Sequence, residues 1–207
     1  MFALRVAFIA LAALAVLAGC SDDDPAKPTP PKEKLDSPAA VLEKLEEAYV
    51  QRNVALYDSI IGDGFSGFLF WFCACDVQMG TVPESWARSD ELASATALFT
   101  SERVTSIDLR LSYGSSYPDT SVGHDGRRII DVTDVYLTVV DQPPADVEAT
   151  TYLVQGQRGR FAFDVHWVDA QGDSIWRVVE WWDLGSGAGK AGGKEKTWGN
   201  IKNLYHP

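Results

Sequence analysis

Apolar residues recur at helical spacing early in the chain and at strand spacing late in it. Ser37-Pro38 is a helix start, with Ser37 as N-cap and Pro38 at the first helical position. Val41, Leu42, Leu45, Ala48 and Tyr49 then form one stripe. Asn53 ends that helix or caps a second one, where Val54, Tyr57, Ile60 and Ile61 carry the pattern on until Gly62-Asp63-Gly64 stops it. A third helix is predicted over Ser89 to Phe99, with Ser89 as cap and Leu92, Ala95, Thr96 and Phe99 inward. From Arg103 onward the period changes to two. Ile107, Leu109, Leu111 and Tyr113 alternate with Asp108 and Arg110, which face water. Ile129 to Val140, Thr150 to Gln155, Phe161 to Val168 and Ser174 to Asp183 are the other predicted strands. Helices leading into an antiparallel meander predict an α+β fold.

The last two strands carry the candidate chemistry. Val168 to Asp173 reads as a tight hairpin connection, and a centre at Gln171-Gly172 fixes the pairing. Trp167 then opposes Trp176, Val165 opposes Val178, Phe163 opposes Glu180 and Phe161 opposes Trp182. One face becomes Phe161, Phe163, Val165, Trp167, Trp176, Val178 and Trp182, with Glu180 as its only charge. A carboxylate among aromatics is desolvated, which suits it to acid or base work. Phe161, Phe163, Trp176, Glu180 and Trp182 are therefore the candidate pocket residues, and Glu180 the candidate catalytic group. A slip of one residue in register would move Glu180 to the other face. That other face carries Asp164, His166, Arg177, Val179, Trp181 and Asp183, read as a solvated charge network or a dimer surface built on Trp181.

The chain begins with a different pattern. Arg5 precedes an apolar run from Val6 to Leu17, and Leu17-Ala18-Gly19-Cys20 follows. This segment resembles a bacterial lipoprotein signal peptide with its lipobox. The resemblance implies cleavage before Cys20 and acylation of Cys20, so that residues 1–19 are removed and the mature chain is held on a membrane. The run is too short, and broken too early by Gly19, Ser21 and the three aspartates after it, to read as a spanning helix. Ser21 behind Cys20 resembles the sorting pattern for the outer membrane rather than the inner. Residues 20–36, with four prolines and mixed charges, read as an extended tether. Residues 37–207 make one domain.

A formal charge of −11 argues against nucleic acid as a partner. Besides Cys20, only Cys73 and Cys75 are present, too few for a zinc or iron–sulfur site. They read as two small, buried, incidental thiols in preference to a redox pair, since a bond between cysteines two apart would close a tight, strained and labile ring. No metal and no cofactor is expected. His124, His166 and His206 lack ligand spacing, and Gly185 to Lys190 lacks the P-loop gap between glycines. Leu184 to Lys196 reads as a flexible loop. The tail, with Trp198, Ile201, Leu204 and Tyr205, is expected to fold back over apolar surface.

Ser37-Pro38-Ala39-Ala40-Val41-Leu42, Ala48-Tyr49, Leu56-Tyr57 and Phe65 together resemble the opening helices of the nuclear transport factor 2-like (NTF2-like) superfamily. Trp86 with Glu91-Leu92, the strand Trp176 to Val179, and Trp198-Gly199-Asn200-Ile201-Lys202 extend the resemblance over nearly all of residues 37–207. It implies a curved antiparallel sheet wrapped around helices as a cone with an apolar pocket. It implies no activity, because the superfamily spans enzymes and binding modules. Ketosteroid isomerase-like members pair a carboxylate base with buried oxyanion donors; Asp131, Asp134 and Tyr136 are candidates by type but match no motif position. Three readings stay open: a lipid-anchored module binding a small apolar ligand, an isomerase- or cyclase-like enzyme using Glu180, and an assembly module or homodimer using the sheet face with Trp181 and Asp164.

Overall fold

The computed structural model describes residues 34–63, 67–142, 148–186 and 196–207. The predicted signal segment, Cys20, most of the predicted tether, Phe65 and the stretch 187–195 lie outside the described residues.

Helices α1 (Pro38–Gln51) and α2 (Val54–Ile60) form where the apolar stripes require them. Ser37 Oγ accepts the Ala40 amide, and Asn53 Oδ1 accepts that of Leu56, so both predicted caps are made. Arg52 closes α1 in the left-handed region at φ 54°. Its guanidinium donates to the carbonyls of Phe99, Ser101 and Val104, which ties the helix pair to the next layer. Lys34 and Leu35 already touch the folded part: Leu35 O accepts the Trp176 amide at 2.8 Å, and Lys34 pairs with Asp173.

Next come β1 (Leu69–Trp71), α3 (Ala74–Gln78), β2 (Ser85–Ala87) and α4 (Arg88–Thr100). The meander follows as β3 (Val104–Tyr113), the short β4 (Tyr117–Pro118), β5 (Arg128–Asp141), β6 (Thr150–Val168) and β7 (Ser174–Ser186), and α5 (Trp198–Leu204) closes the chain. The fold is α+β, with a curved sheet wrapped around helices, as predicted. Strand order is β2-β1-β7-β6-β5-β3, with β4 beside β5. One departure is that β1 joins β7 in parallel, so the sheet is mixed rather than wholly antiparallel.

Three readings of the pattern need correction. The strands expected at 150–155 and 161–168 are one strand, bulged where β6 meets β5, with Gly156 at φ 67°. Helix α4 starts one residue before Ser89, and Ala87, not Ser89, stands at its N-cap, where Asp90 accepts the Ala87 amide. The buried face of α4 is Glu91, Ser94, Ala95, Leu98 and Phe99, with Leu92 and Thr96 only half-buried. A helix buries whichever face its neighbours hold, and here a buried Glu91 has a partner waiting. Third, Leu184 to Ser186 extend β7 instead of starting a loop.

The core is one continuous cluster in which α1, α2 and α4 pack into the concave side of the sheet. Tyr49, Tyr57 and Phe99 meet edge to face within it at centroid distances of 5.1–5.7 Å. Such pairs add about 0.5–1.5 kcal/mol each beyond the area they bury.

Candidate functional site

The register of the β6–β7 hairpin decides where the predicted site residues go. Asp169 receives the amides of Gln171 and Asp173 on its side chain, and Gly172 takes φ 85°. The strands pair one residue out of the expected register, so Trp167 meets Ile175. Further along, Asp164 pairs with Arg177, which leaves one extra β6 residue within Val165–His166, and then Val178 pairs with Phe163 and Glu180 with Ala162, which leaves Val179 extra on β7. A bulge reverses which residues face inward on the far side of it. The two bulges offset each other and the one-residue shift at the turn carries through, so Trp181 faces Phe161 in the core at a centroid distance of 4.6 Å, and Glu180 and Trp182 turn to the outer side.

The predicted pocket residues are accordingly divided. Phe161 and Phe163 are fully buried core, Trp176 packs half-buried against it, and Glu180 and Trp182 lie on the opposite face. Trp181, expected on an outer interaction surface, is 1% exposed. Glu180 is not an isolated carboxylate among aromatics. Arg127 donates to it at 2.9 Å and reaches Asp164 at 3.5 Å, and Asp164 also meets His166. The expected charge network is therefore present, but Glu180 belongs to it and Arg177 turns to Asp63, 2.8 Å away. Asp131 pairs with Arg160 and Tyr117, Asp134 accepts the Gly156 amide, and Tyr136 lies under Arg110. None of these three lines the concave side.

The concave side holds a different polar group. The tail folds back as α5, whose Trp198, Ile201 and Lys202 are all at most 2% exposed. The Lys202 ammonium is paired with Glu91, and Tyr57 donates its hydroxyl to the same Glu91 oxygen. Nζ also lies 3.8 Å from the Phe70 ring centroid and 3.7 Å from that of Trp181, in cation–π contact. Burial pushes Lys202 down to about 8, against the pull of Glu91. Burial and Glu91 both hold Tyr57 well above the ordinary phenol range. The other Glu91 oxygen has no partner among the described residues. Trp198 donates to the Tyr49 hydroxyl at 3.2 Å, and Ser94 to the Lys202 carbonyl at 2.7 Å. Tyr57, Glu91 and Lys202 form a hydrogen-bonded row of titratable groups, all of them buried.

Two carboxylates hold the start of α5. Asp76, fully buried on α3, accepts from Thr197 Oγ1 and from Asn200 Nδ2. Asp183 accepts the amides of Gly185 at 2.9 Å and Gly199 at 3.2 Å, and burial raises it to about 6. Beside them Cys73 and Cys75 form a disulfide, with Cα atoms 5.2 Å apart. This corrects the expectation of two free thiols: the turn from β1 into α3 folds the two side chains toward each other.

On the outer side, Trp71 and Trp182 are register partners on β1 and β7. With Phe72, Ala74, Val77, Gln78 and Glu84 they line a cleft of about 360 Å³. The Trp71 indole N–H is buried without an acceptor among the described residues. Of the predicted pocket residues, Trp182 alone lines this cleft. Glu91, Lys202 and the β1–α3 wall were missed. The available signal was Lys202 sharing a helical face with Trp198, Ile201 and Tyr205, and a charge there implies a buried partner. No cluster of potential metal ligands occurs among the described residues, nor any helix long and apolar enough to cross a membrane.

No family model matches the chain, and no curated protein does. Among solved structures it is similar to an NTF2-like protein of unknown function in nutrient uptake from Rhodospirillum rubrum. The identity is 16% over 71% of this chain and 96% of that one, with a TM-score of 0.41. A proposed dehydratase of the NTF2-like family from Streptomyces avermitilis shares 10% identity over 73% and 100%, at a TM-score of 0.45. ActVI-ORFA from Streptomyces coelicolor shares 14% over 70% and 90%, at a TM-score of 0.39. These are similarities in the course of the backbone, and the names describe those proteins.

Proposed function

We propose that this chain is a lipid-anchored module of the bacterial cell envelope, outer membrane in preference to inner, that binds a small apolar molecule without transforming it. The anchor is acylated Cys20, following the lipobox resemblance, and two or more acyl chains suffice for stable attachment to a bilayer. The binding site is the cleft of Trp71 and Trp182. The observation that carries this reading is the contrast between a concave interior filled by α1, α2, α4 and α5 and an open cleft of about 360 Å³ walled by three aromatic rings. That volume falls in the range of small-molecule sites, and its lining is chiefly hydrophobic.

The enzymatic reading through Glu180 is not favoured, because Arg127 neutralises that carboxylate on the outer face. The test uses the full chain extracted from its own host membranes in mild detergent. Native mass spectrometry is expected to find a co-purifying small molecule that Trp182→Ala loses. Cys20→Ser is expected to move the protein into the soluble fraction with its ligand retained. Bare protein that also fails to bind the apolar dye N-phenyl-1-naphthylamine would overturn the binding reading. A membrane-bound Cys20→Ser variant would overturn the anchor.

A further inference from the structure

Cys73 and Cys75 close a very small loop, and loops of that size remove little entropy from the unfolded chain. Stabilisation of the fold therefore gives a weak account of the bridge. Its setting gives a stronger one. Cys73 is 7% exposed and stands at the N-cap of α3, whereas Cys75 is open to solvent. Gly185 passes directly over Cys73: a β-carbon there would lie 2.7 Å from its sulfur. Directly after Cys75, Asp76 is the group that receives Thr197 and Asn200 from the start of α5. Gly185 in turn donates to Asp183, the second carboxylate holding α5. The bridge thus sits against Asp76 and Asp183, the two carboxylates at the start of α5.

We propose that the Cys73–Cys75 bridge is a thiol–disulfide exchange site, attacked at Cys75 by a soluble thiol, and that its opening loosens α5. Exposure selects Cys75 as the attacked sulfur. The environment selects Cys73 as the leaving group, because its sulfur accepts the Cys75 amide at 3.2 Å whereas Cys75 lies 3.9 Å from an Asp76 oxygen. A thiolate attacks Cys75 Sγ, the Sγ–Sγ bond breaks, and its electron pair leaves on Cys73, which takes up a proton. A second thiol then attacks the mixed disulfide, which releases Cys75 as a thiol and the two soluble thiols as their disulfide. Two thiols are oxidised and one protein disulfide is reduced. With the bridge open, α3 loses its closed first turn, and Asp76 is no longer held against Thr197 and Asn200. This proposal does not depend on the ligand-binding reading.

The full chain is incubated with millimolar reduced glutathione under native conditions, trapped with iodoacetamide and mapped by peptide mass spectrometry, which separates these cysteines from Cys20. The expected result is a glutathione adduct on Cys75 before Cys73, then alkylation of both. Amide hydrogen exchange across Trp198–Leu204 is expected to rise at least about tenfold on reduction, as a locally released helix requires. The variant Asp76→Asn, with the bridge intact, is expected to show a rise of the same sense without any thiol. A bridge that opens only in denaturant, an adduct confined to Cys73, or an α5 whose exchange is unchanged by reduction or by Asp76→Asn would overturn the proposal.

Discussion

The two sides of β7 carry similar chemistry under opposite conditions. Inside, Lys202 and Glu91 pair among Phe70, Trp181 and Trp198, with exposures of 2% or less. Outside, Arg127 and Glu180 pair beside Asp164, and each keeps a partly wet side chain. The attraction between charges is stronger in the dry interior, but so is the cost of losing one partner. The inner pair therefore locks α5 in place, while the outer pair orients a loop at little energetic risk. Position relative to the sheet, more than residue type, decides what a carboxylate does here.

The comparison is broken most forcefully at the inner pair. Lys202→Met leaves Glu91 buried without its cation, and chemical denaturation is expected to read a loss of about 3–5 kcal/mol. Lys202→Met combined with Glu91→Leu is expected to recover most of that loss, because the uncompensated charge is gone.

Asp183 supplies a pH test of the same interior. Its proton is held up to about pH 6 in the folded state and only to about 3.8 in the unfolded chain. Between those values the folded state binds more protons, so stability falls as pH rises through the window. The shift corresponds to about 3 kcal/mol by the usual conversion. Asp183→Asn is expected to flatten the fall, as read by denaturation midpoints taken from pH 3.8 to 6.

Gly185→Ala tests the edge between the two sides. At φ 67° and 2.7 Å from the Cys73 sulfur, an added β-carbon is expected to cost about 1–3 kcal/mol and to lower the melting temperature. Glu180→Gln sharpens the contrast from the other end. It keeps an acceptor for Arg127 on a partly solvated face, and a loss below about 1 kcal/mol is expected in the same denaturation assay. A loss equal to that of Lys202→Met would erase the distinction between the faces.

Local physics made much of this molecule legible from its residues. Ser37 and Asn53 cap α1 and α2 because short polar side chains suit those positions wherever a helix starts. The alternation of Ile107, Leu109 and Leu111 with Asp108 and Arg110 holds because a strand has two faces and one core. The α+β class followed from such patterns alone, as did the return of the tail to apolar surface. The candidate site did not follow. Whether Glu180 or Trp181 faces the core depends on the register set at the turn and on two offsetting bulges, one at Val165–His166 and one at Val179, and these are set by pairing across strands rather than by composition. Whether Lys202 is buried depends on Glu91 reaching it from 111 positions away. The sequence alone determined the elements and their caps, which are local properties of the chain. Tertiary structure alone decided which carboxylates are dry, which cysteines are bonded and which surface stays open, because each depends on partners brought together from distant parts of the chain.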